Sequence, residues 1–572
     1  MSDGLALLSA WARLHDITIS PHVAIQRTAD AGLGLFFKAM DDPNSDVDLS
    51  PLTGSVDAPL LSIPRSMILS SENIKNYALA YKATLLPFVT SSATAELNGR
   101  NAFLPAKQVI LRFFLFALHK FNKSSKLSTA AQSGFYAPYI SLLPDPLQEV
   151  IYHTSGAMES LSLKSDDTEA AGEDSAPSAR AGALLPPTYW TAEQIQEAAG
   201  TSLYLPLMSK MKSLHAMYDQ LLLDWDASFG GDEEEVTWED FLRAEWLVAS
   251  RVLEVPVSGH ENKEGADMML AVVPVIDFAN HNARYNARYE ITCSEILLVS
   301  ANDAAKPQSG DEICISYGVQ KGTAELLLTY GFYERPWVYE GEETVKMPVM
   351  AGTNVLRQLF GTMPLAELHV ARSAEGEFEV HWECDYLWML CVGKEDGFAV
   401  SVSQQHDGSE DIDAVVNGKT LTNARGEAVV EVIRSELATE EMRDVLELRR
   451  VVIFEELLSG WMDDIARTEA LVEHDDELQK SAPEAEFKHD AVDEALETLR
   501  QREERVFGMT LEAVAARKLQ LLDMPAVARY LAKMQEDTPD DAERGAGAGT
   551  SATSADSAAS DSEPPELEED TR

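Results

Sequence analysis

The chain has 572 residues, 45% of them apolar, with 46 Lys and Arg against 95 Asp and Glu. A formal charge of -49 repels a phosphate backbone, so no nucleic acid is expected as a direct ligand, whereas a basic protein is drawn in at long range. The length exceeds that of a usual single core and predicts two folded domains plus flexible segments.

Residues 4–16 have helical apolar spacing, with Leu5, Leu8, Trp11 and Leu14 on one face. The N-terminal stretch MSDGLALLSAWARLHD shows neither a basic leader nor a small-residue cleavage pattern, and no apolar run is long enough to span a bilayer. No membrane association is therefore expected, and a nuclear and/or cytoplasmic location is. After Pro21, VAIQR and GLGLFFKA read as strands joined by TADAG, where Gly32 can take the positive φ of a tight turn. LLSIP, at 60–64, reads as another strand. From about 71 to 154 the pattern is helical, and VILRFFLFALHKF is apolar nearly all round, which predicts a buried helix.

Residues 162–183 hold almost no large apolar side chain and are expected to form a flexible insert. Helices are expected at about 191–225 and 237–254, separated by the acidic loop FGGDEEE. Strand patterns return in MLAVVPVI, RYEITC, EILLVS and EICISY. Strands, a helical insert at about 71–254, then strands again make an α+β domain over 1–344. Residues 345–535 read as a second domain, mixed to roughly 432 and then helical, and 536–572 as a disordered acidic tail. The four cysteines form no CxxC pair, so reduced thiols are expected rather than a zinc knuckle or a disulfide framework.

Chemistry concentrates in two places. PVIDFANHN, residues 274–282, follows the apolar run LAVV and turns abruptly polar at Asp277, Asn280 and His281. It could be a metal site, a turn that stops a strand, or the wall of a ligand pocket. A metal would need a third ligand, and no HExxH or comparable partner accompanies the pair. Further on, GDEICISYGVQKGTAELLLTYGF places Tyr317 at a strand end and Tyr330 at the end of the following helix. Two such tyrosines can face one small pocket, although tyrosines at strand ends commonly pack with a wet hydroxyl.

DxxNH, then GDExxxSYG, then YGF, in that order, resembles the SET-domain methyltransferases. GLGLFFKA, LLSIPRSMILS, FYAPYISLLP and AEWLVASR extend the resemblance over roughly residues 4–340. With the helical insert and helical C-terminal region, the chain looks like the branch containing the Rubisco large-subunit and ribosomal-protein lysine methyltransferases. That resemblance implies small sheets of short strands with a threaded pseudoknot, followed by a mainly helical C-terminal domain.

It also implies S-adenosylmethionine as methyl donor, no metal, and a basic protein substrate. Carried onto this sequence, Asn280 and His281 would hold the donor, Asp277 would brace the turn, and Arg251 would reach the donor's carboxylate. Gly34 and Leu35 would let the backbone come close to it. Tyr317 would be the catalytic residue, with Tyr330 and Phe332 closing the methyl channel and Leu253 bordering it on the substrate side. Val252-Leu253 after Arg251 is apolar as in lysine-specific members, whereas the actin-histidine methylating relative has an asparagine at the second position. The segments ISPHVAI and YWTAEQIQEAAGTSL resemble the ribosomal-protein branch, so a monomeric enzyme acting on a ribosomal protein is expected. The alternatives are a histidine methyltransferase and a non-catalytic binding platform on the same fold.

Overall fold

The computed structural model describes residues 2–28, 32–38, 59–81, 85–91, 104–123, 135–147, 184–229, 236–257, 267–301, 308–318, 320–334, 341–373, 375–404, 410–480 and 491–537. The insert at 162–183, the acidic residues at 232–235 and the tail beyond 537 lie outside the described residues.

Helix α1 (Ser2–Leu14) buries Leu8 and Trp11. Leu14, expected on the same face, is 78% exposed. The chain reverses at Asp16, which has a φ of 57°, and Ile17 takes the core position instead. Strands β1 (Thr18–Ile19), β2 (Val23–Arg27), β3 (Leu33–Phe37), β4 (Leu61–Pro64) and β5 (Leu69–Ser70) follow. β2 and β3 form a hairpin with Ile25 opposite Leu35, and Gly32 enters it at a φ of 77°.

Helices α2 (Ser71–Tyr81) and α3 (Leu104–Lys123) come next, and α3 buries Ile110, Phe114 and Leu115 as its all-round apolar pattern requires. Arg112, buried on this helix, is paired at 2.5 Å with Asp224 of helix α4 (Tyr204–Phe229). Helix α5 (Trp238–Arg251) starts at a reciprocal cap between Thr237 and Asp240. It stops at Arg251, three residues short of the expected end. β-Branched Val252 opens strand β6 (Val252–Pro256), whose ladder with β7 (Met268–Val272) outweighs helix continuation.

β8 (Asn280–His281), β9 (Ala287–Ile291), β10 (Glu295–Ser300), β11 (Glu312–Ile315) and helix α6 (Thr323–Tyr330) complete this half. Its strands form three small sheets, ordered β1-β4-β10-β9, β2-β3-β11-β8 and β5-β7-β6. Beyond them, β12 (Glu343–Pro348), β13 (Leu365–Arg372) and β14 (Phe378–Glu383) make one three-stranded sheet. A second is built from β15 (Phe398–Gln404), β16 (Glu410–Val416) and β17 (Lys419–Leu421). Two long helices, α7 (Arg443–Lys480) and α8 (Ala491–Leu522), pack together behind these sheets.

One hydrophobic core gathers side chains between Leu8 and Ile315, and a second those between Val345 and Val527. A third, smaller core joins Trp190, Leu203 and Leu207 of the insert to Leu327, Tyr333 and Leu496 and Leu499 of α8. Polar contacts reinforce this junction. Glu503 of α8, 1% exposed, accepts from the backbone N–H and hydroxyl of Ser202, and Arg500 donates to the Glu197 carbonyl at 3.0 Å.

Burial pushes the Glu503 carboxyl up to about 8, against the lowering effect of the Ser202 hydrogen bonds. With the folded pKa above the unfolded one, this group's stability is full below about pH 4.5 and is lost as pH rises through about 8. Glu503→Gln, which stays neutral, is expected to unfold at a higher temperature than the parent above pH 8, by on the order of 2 kcal/mol, with the gap closing toward pH 5. Thermal unfolding across that range measures it, and a gap independent of pH would contradict the assignment.

Candidate active site

Strand pairing creates the site. β11 runs antiparallel to β3, with Ile313 opposite Leu35, and parallel to β8, with Cys314 opposite Asn280 and Ile315 opposite His281. Residues 30 to nearly 300 positions apart thus meet on one four-stranded sheet. The polar end of PVIDFANHN is this meeting point. Asn280, 7% exposed, donates from Nδ2 to the Leu33 carbonyl at 3.3 Å and to Glu312 Oε1 at 2.6 Å.

Gly34 lies in the same corner. A Cβ there would sit 2.6 Å from Thr28 Cγ2, 2.9 Å from Glu312 Oε1 and 3.1 Å from Asn280 Nδ2, so any larger residue must displace the corner. Leu35, fully buried, anchors β3 beneath it.

His281 is oriented through one ring nitrogen and faces a carboxylate with the other. Its Nδ1 accepts the Tyr317 backbone N–H at 3.0 Å, which leaves the proton on Nε2, 3.2 Å from Glu334 Oε1. Tyr317 donates its hydroxyl to the Ala279 carbonyl at 3.2 Å. Its ring lies 4.6 Å from that of Tyr330 and 5.3 Å from that of His281, and Phe332 closes the group 5.9 Å from Tyr330. Burial, with Tyr317 alongside, pushes the Tyr330 phenol above its ordinary value, so it stays protonated at neutral pH. Helix α6 delivers Tyr330 because Gly331, at a φ of 79°, ends the helix in a left-handed cap and turns the chain into Phe332.

Asp277 sits under the same corner. It accepts from the Tyr139 hydroxyl at 2.5 Å and lies 3.3 Å from Arg251 Nε. Complete burial pushes its carboxyl up to about 6, while Arg251, the Tyr139 hydroxyl and the backbone N–H groups of Asp277 and Val275 act the other way. Val275 holds a φ of 72°, a strained conformation for a β-branched residue. Arg251 also donates to Ser250 Oγ at 2.8 Å and stacks 5.4 Å from the Trp246 ring, whose indole N–H donates to the Tyr330 carbonyl at 3.3 Å.

Arg251 Nε is buried against Asp277 Oδ2 as an ion pair, and the missing side chain at Gly34 lets the Asn280 amide close on β3. A guanidinium part-buried at this corner fits a small polar ligand with an anionic end. Leu253 stands on β6 opposite Ala271 and packs against the same core as Tyr317. Among the described residues no group of three or more His, Cys, Asp and Glu is placed to hold a metal ion.

Four contributors escaped the sequence reading. Tyr139, Trp246 and Glu312 lie inside segments it quoted, and their packing beside the acid, the guanidinium and the amide was the missing information. Glu334 follows the YGF motif by two residues and has no local signal at all.

Residues 230–344 match the family model described as Cytochrome c lysine N-methyltransferase 1. SET domain-containing protein 8 of Schizosaccharomyces pombe is 26% identical over 215 residues, which is 37% of this chain and 46% of that protein. The chloroplastic ribulose-1,5 bisphosphate carboxylase/oxygenase large subunit N-methyltransferase of Nicotiana tabacum is 28% identical over 158 residues, 26% of this chain and 30% of that one. The matched segments span less than half the length of these curated relatives. A crystal structure of the SET domain of LSMT bound to lysine and AdoHcy superposes with a TM-score of 0.49 and 16% identity, covering 95% of this chain and 98% of that one. The segment shared with these relatives, which includes the sheet joining the DxxNH corner to the SYG strand, is therefore similar to SET-domain protein-lysine methyltransferases.

Proposed function

We propose that the chain is an S-adenosylmethionine-dependent protein-lysine N-methyltransferase acting on a non-histone protein, with a ribosomal protein as its substrate. The observation that carries the activity is the register of β8 on β11, which sets Asn280 and His281 beside the Tyr317-Tyr330-Phe332 aromatic group. The donor supplies an electrophilic methyl group on a sulfonium sulfur. The backbone at Gly34, with Asn280 and His281, is suited to hold it, and Arg251 offers a guanidinium to a carboxylate.

The rest is work for this chain's own residues. A lysine amine must arrive neutral, and with an ordinary pKa near 10.4 that costs about 4–5 kcal/mol at pH 7. Rings of Tyr317, Tyr330 and Phe332 disfavour the ammonium form by excluding water. The Tyr317 hydroxyl, anchored on the Ala279 carbonyl, can accept an amine N–H and aim the lone pair, so catalysis here is chiefly positioning.

A net charge of -49 favours a basic substrate, and the N-terminal and insert segments that resemble the ribosomal-protein branch favour a ribosomal one. A monomer in the nucleus and/or cytoplasm belongs to the same reading. The test is transfer of labelled methyl groups from S-adenosylmethionine into extract of cells lacking this protein, in parallel with purified ribosomes and with cytochrome c. Methyllysine in a ribosomal band is expected after hydrolysis of the product to amino acids. Methylhistidine would overturn the lysine reading, and label in cytochrome c alone would overturn the ribosomal one. Donor binding without transfer to any of the three would leave a binding platform.

A further inference from the structure

Helix α8 touches the segment that carries Tyr330 and Phe332 through Arg502. Arg502 is 6% exposed and donates from Nη1 to Thr323 Oγ1 at 2.8 Å and from Nη2 to the Glu334 carbonyl at 2.5 Å. Thr323 is the first residue of α6, and Glu334 lies four residues past that helix's last residue, Tyr330. A single guanidinium therefore holds both ends of the segment that supplies Tyr330, Phe332 and the Glu334 carboxylate facing His281.

The clamp is doubled beneath. Thr323 donates its N–H and hydroxyl to the two oxygens of buried Glu343, each at 2.7 Å, and Glu343 lies 4.0 Å from Arg502. Gly322 admits this approach, because a Cβ there would lie 1.7 Å from the Thr344 carbonyl oxygen. Tyr333, 2% exposed, plugs the segment into the core shared with Leu496 and Leu499 of α8. Two neighbours on α8 act elsewhere: Arg500 and Glu503 hold Glu197 and Ser202 of the insert.

We propose that Arg502 is a positioning residue for methyl transfer: by fixing both ends of the Thr323–Glu334 segment it sets the spacing of Tyr330 and Phe332 from Tyr317 and of Glu334 from His281. The inference rests on the methyltransferase reading above. A planar fork with donors in fixed directions suits two acceptors held at a set separation, which a flexible ammonium spans poorly. Loss of the clamp loosens the channel by fractions of an ångström, and turnover of a positioned reaction is sensitive to displacements on that scale.

The test compares full-length Arg502→Ala and Arg502→Lys with Arg500→Ala, which removes a neighbouring α8 contact to the insert and none to the channel. At a temperature where each variant is fully folded, Arg502→Ala is expected to lose about tenfold or more in kcat with donor KM changed less than threefold, and Arg502→Lys to recover part of that loss. Arg500→Ala is expected to keep kcat within twofold while losing comparable thermal stability. Hydrogen exchange of the full chain gives a readout independent of turnover, with faster exchange at 330–334 expected in Arg502→Ala and not in Arg500→Ala.

Equal kcat in the Arg500→Ala and Arg502→Ala proteins, or unchanged exchange in that segment, would overturn the proposal. If Arg502→Ala does not fold, the Lys variant carries the same comparison, since it keeps the charge and loses the fork. A parent protein that transfers no methyl to any substrate would instead sink the methyltransferase reading, whatever the exchange pattern shows.

Discussion

Tyr317→Phe is expected to lower kcat by about a hundredfold or more while leaving donor affinity within about threefold. The ring itself is packed against Tyr330 at 4.6 Å and His281 at 5.3 Å, and phenylalanine keeps both contacts. Only the hydroxyl is lost, with its 3.2 Å bond to the Ala279 carbonyl. One net hydrogen bond of this kind is worth about 1 kcal/mol to stability, so the fold survives. The same hydroxyl is the polar atom that can orient a neutral amine inside an aromatic wall, and its loss falls on the transition state. Single-turnover methyl transfer gives the rate and calorimetry with the donor gives the affinity. Full turnover in the phenylalanine variant would remove Tyr317 from the mechanism.

Asn280→Ala is expected to act on the other term, weakening donor binding by about ten- to a hundredfold. Its amide joins the Leu33 carbonyl of the N-terminal hairpin to Glu312 on β11, so truncation strips two acceptors of this donor at once. The corner around Gly34 then loses one of the side chains that pack over it. Thermal stability should fall as well, by about 1 kcal/mol, because a half-buried carboxylate and a backbone carbonyl lose a hydrogen bond. Calorimetric titration with S-adenosylmethionine on folded variant decides the matter, and donor affinity equal to the parent's would place the donor elsewhere. Together the two variants separate binding from turnover at adjoining positions.

Part of this site is visible before any coordinates. Tyr317 at a strand end, Tyr330 at a helix end and the abrupt polarity after LAVV are local facts of pattern and turn chemistry, and their motif order resembles that of one family. Where the local reading slipped, a distant partner had intervened. The helix expected to run to 254 stops at Arg251 because β7 captures Val252 and Leu253 into a ladder. Leu14 has the spacing of a core residue, but the reversal at Asp16 puts Ile17 in its place. Arg251 shows the same dependence: AEWLVASR places a guanidinium at a helix end, and only packing reveals that buried Asp277 holds it from one side and Trp246 from another.

Periodicity, glycine turns and charge were enough to state the α+β class and the acidic character, because each arises within a few positions along the chain, whereas the site residues were expected only from the resemblance in motif order. Pairing of β8 with β11, the proton on His281 Nε2, the raised carboxyls of Asp277 and Glu503, and the reach of Arg502 to Glu334 across 168 positions came from tertiary packing alone. Burial and hydrogen-bond geometry are properties of neighbours in space, and for a side chain such as Glu334 nothing adjacent in sequence specifies who those neighbours are.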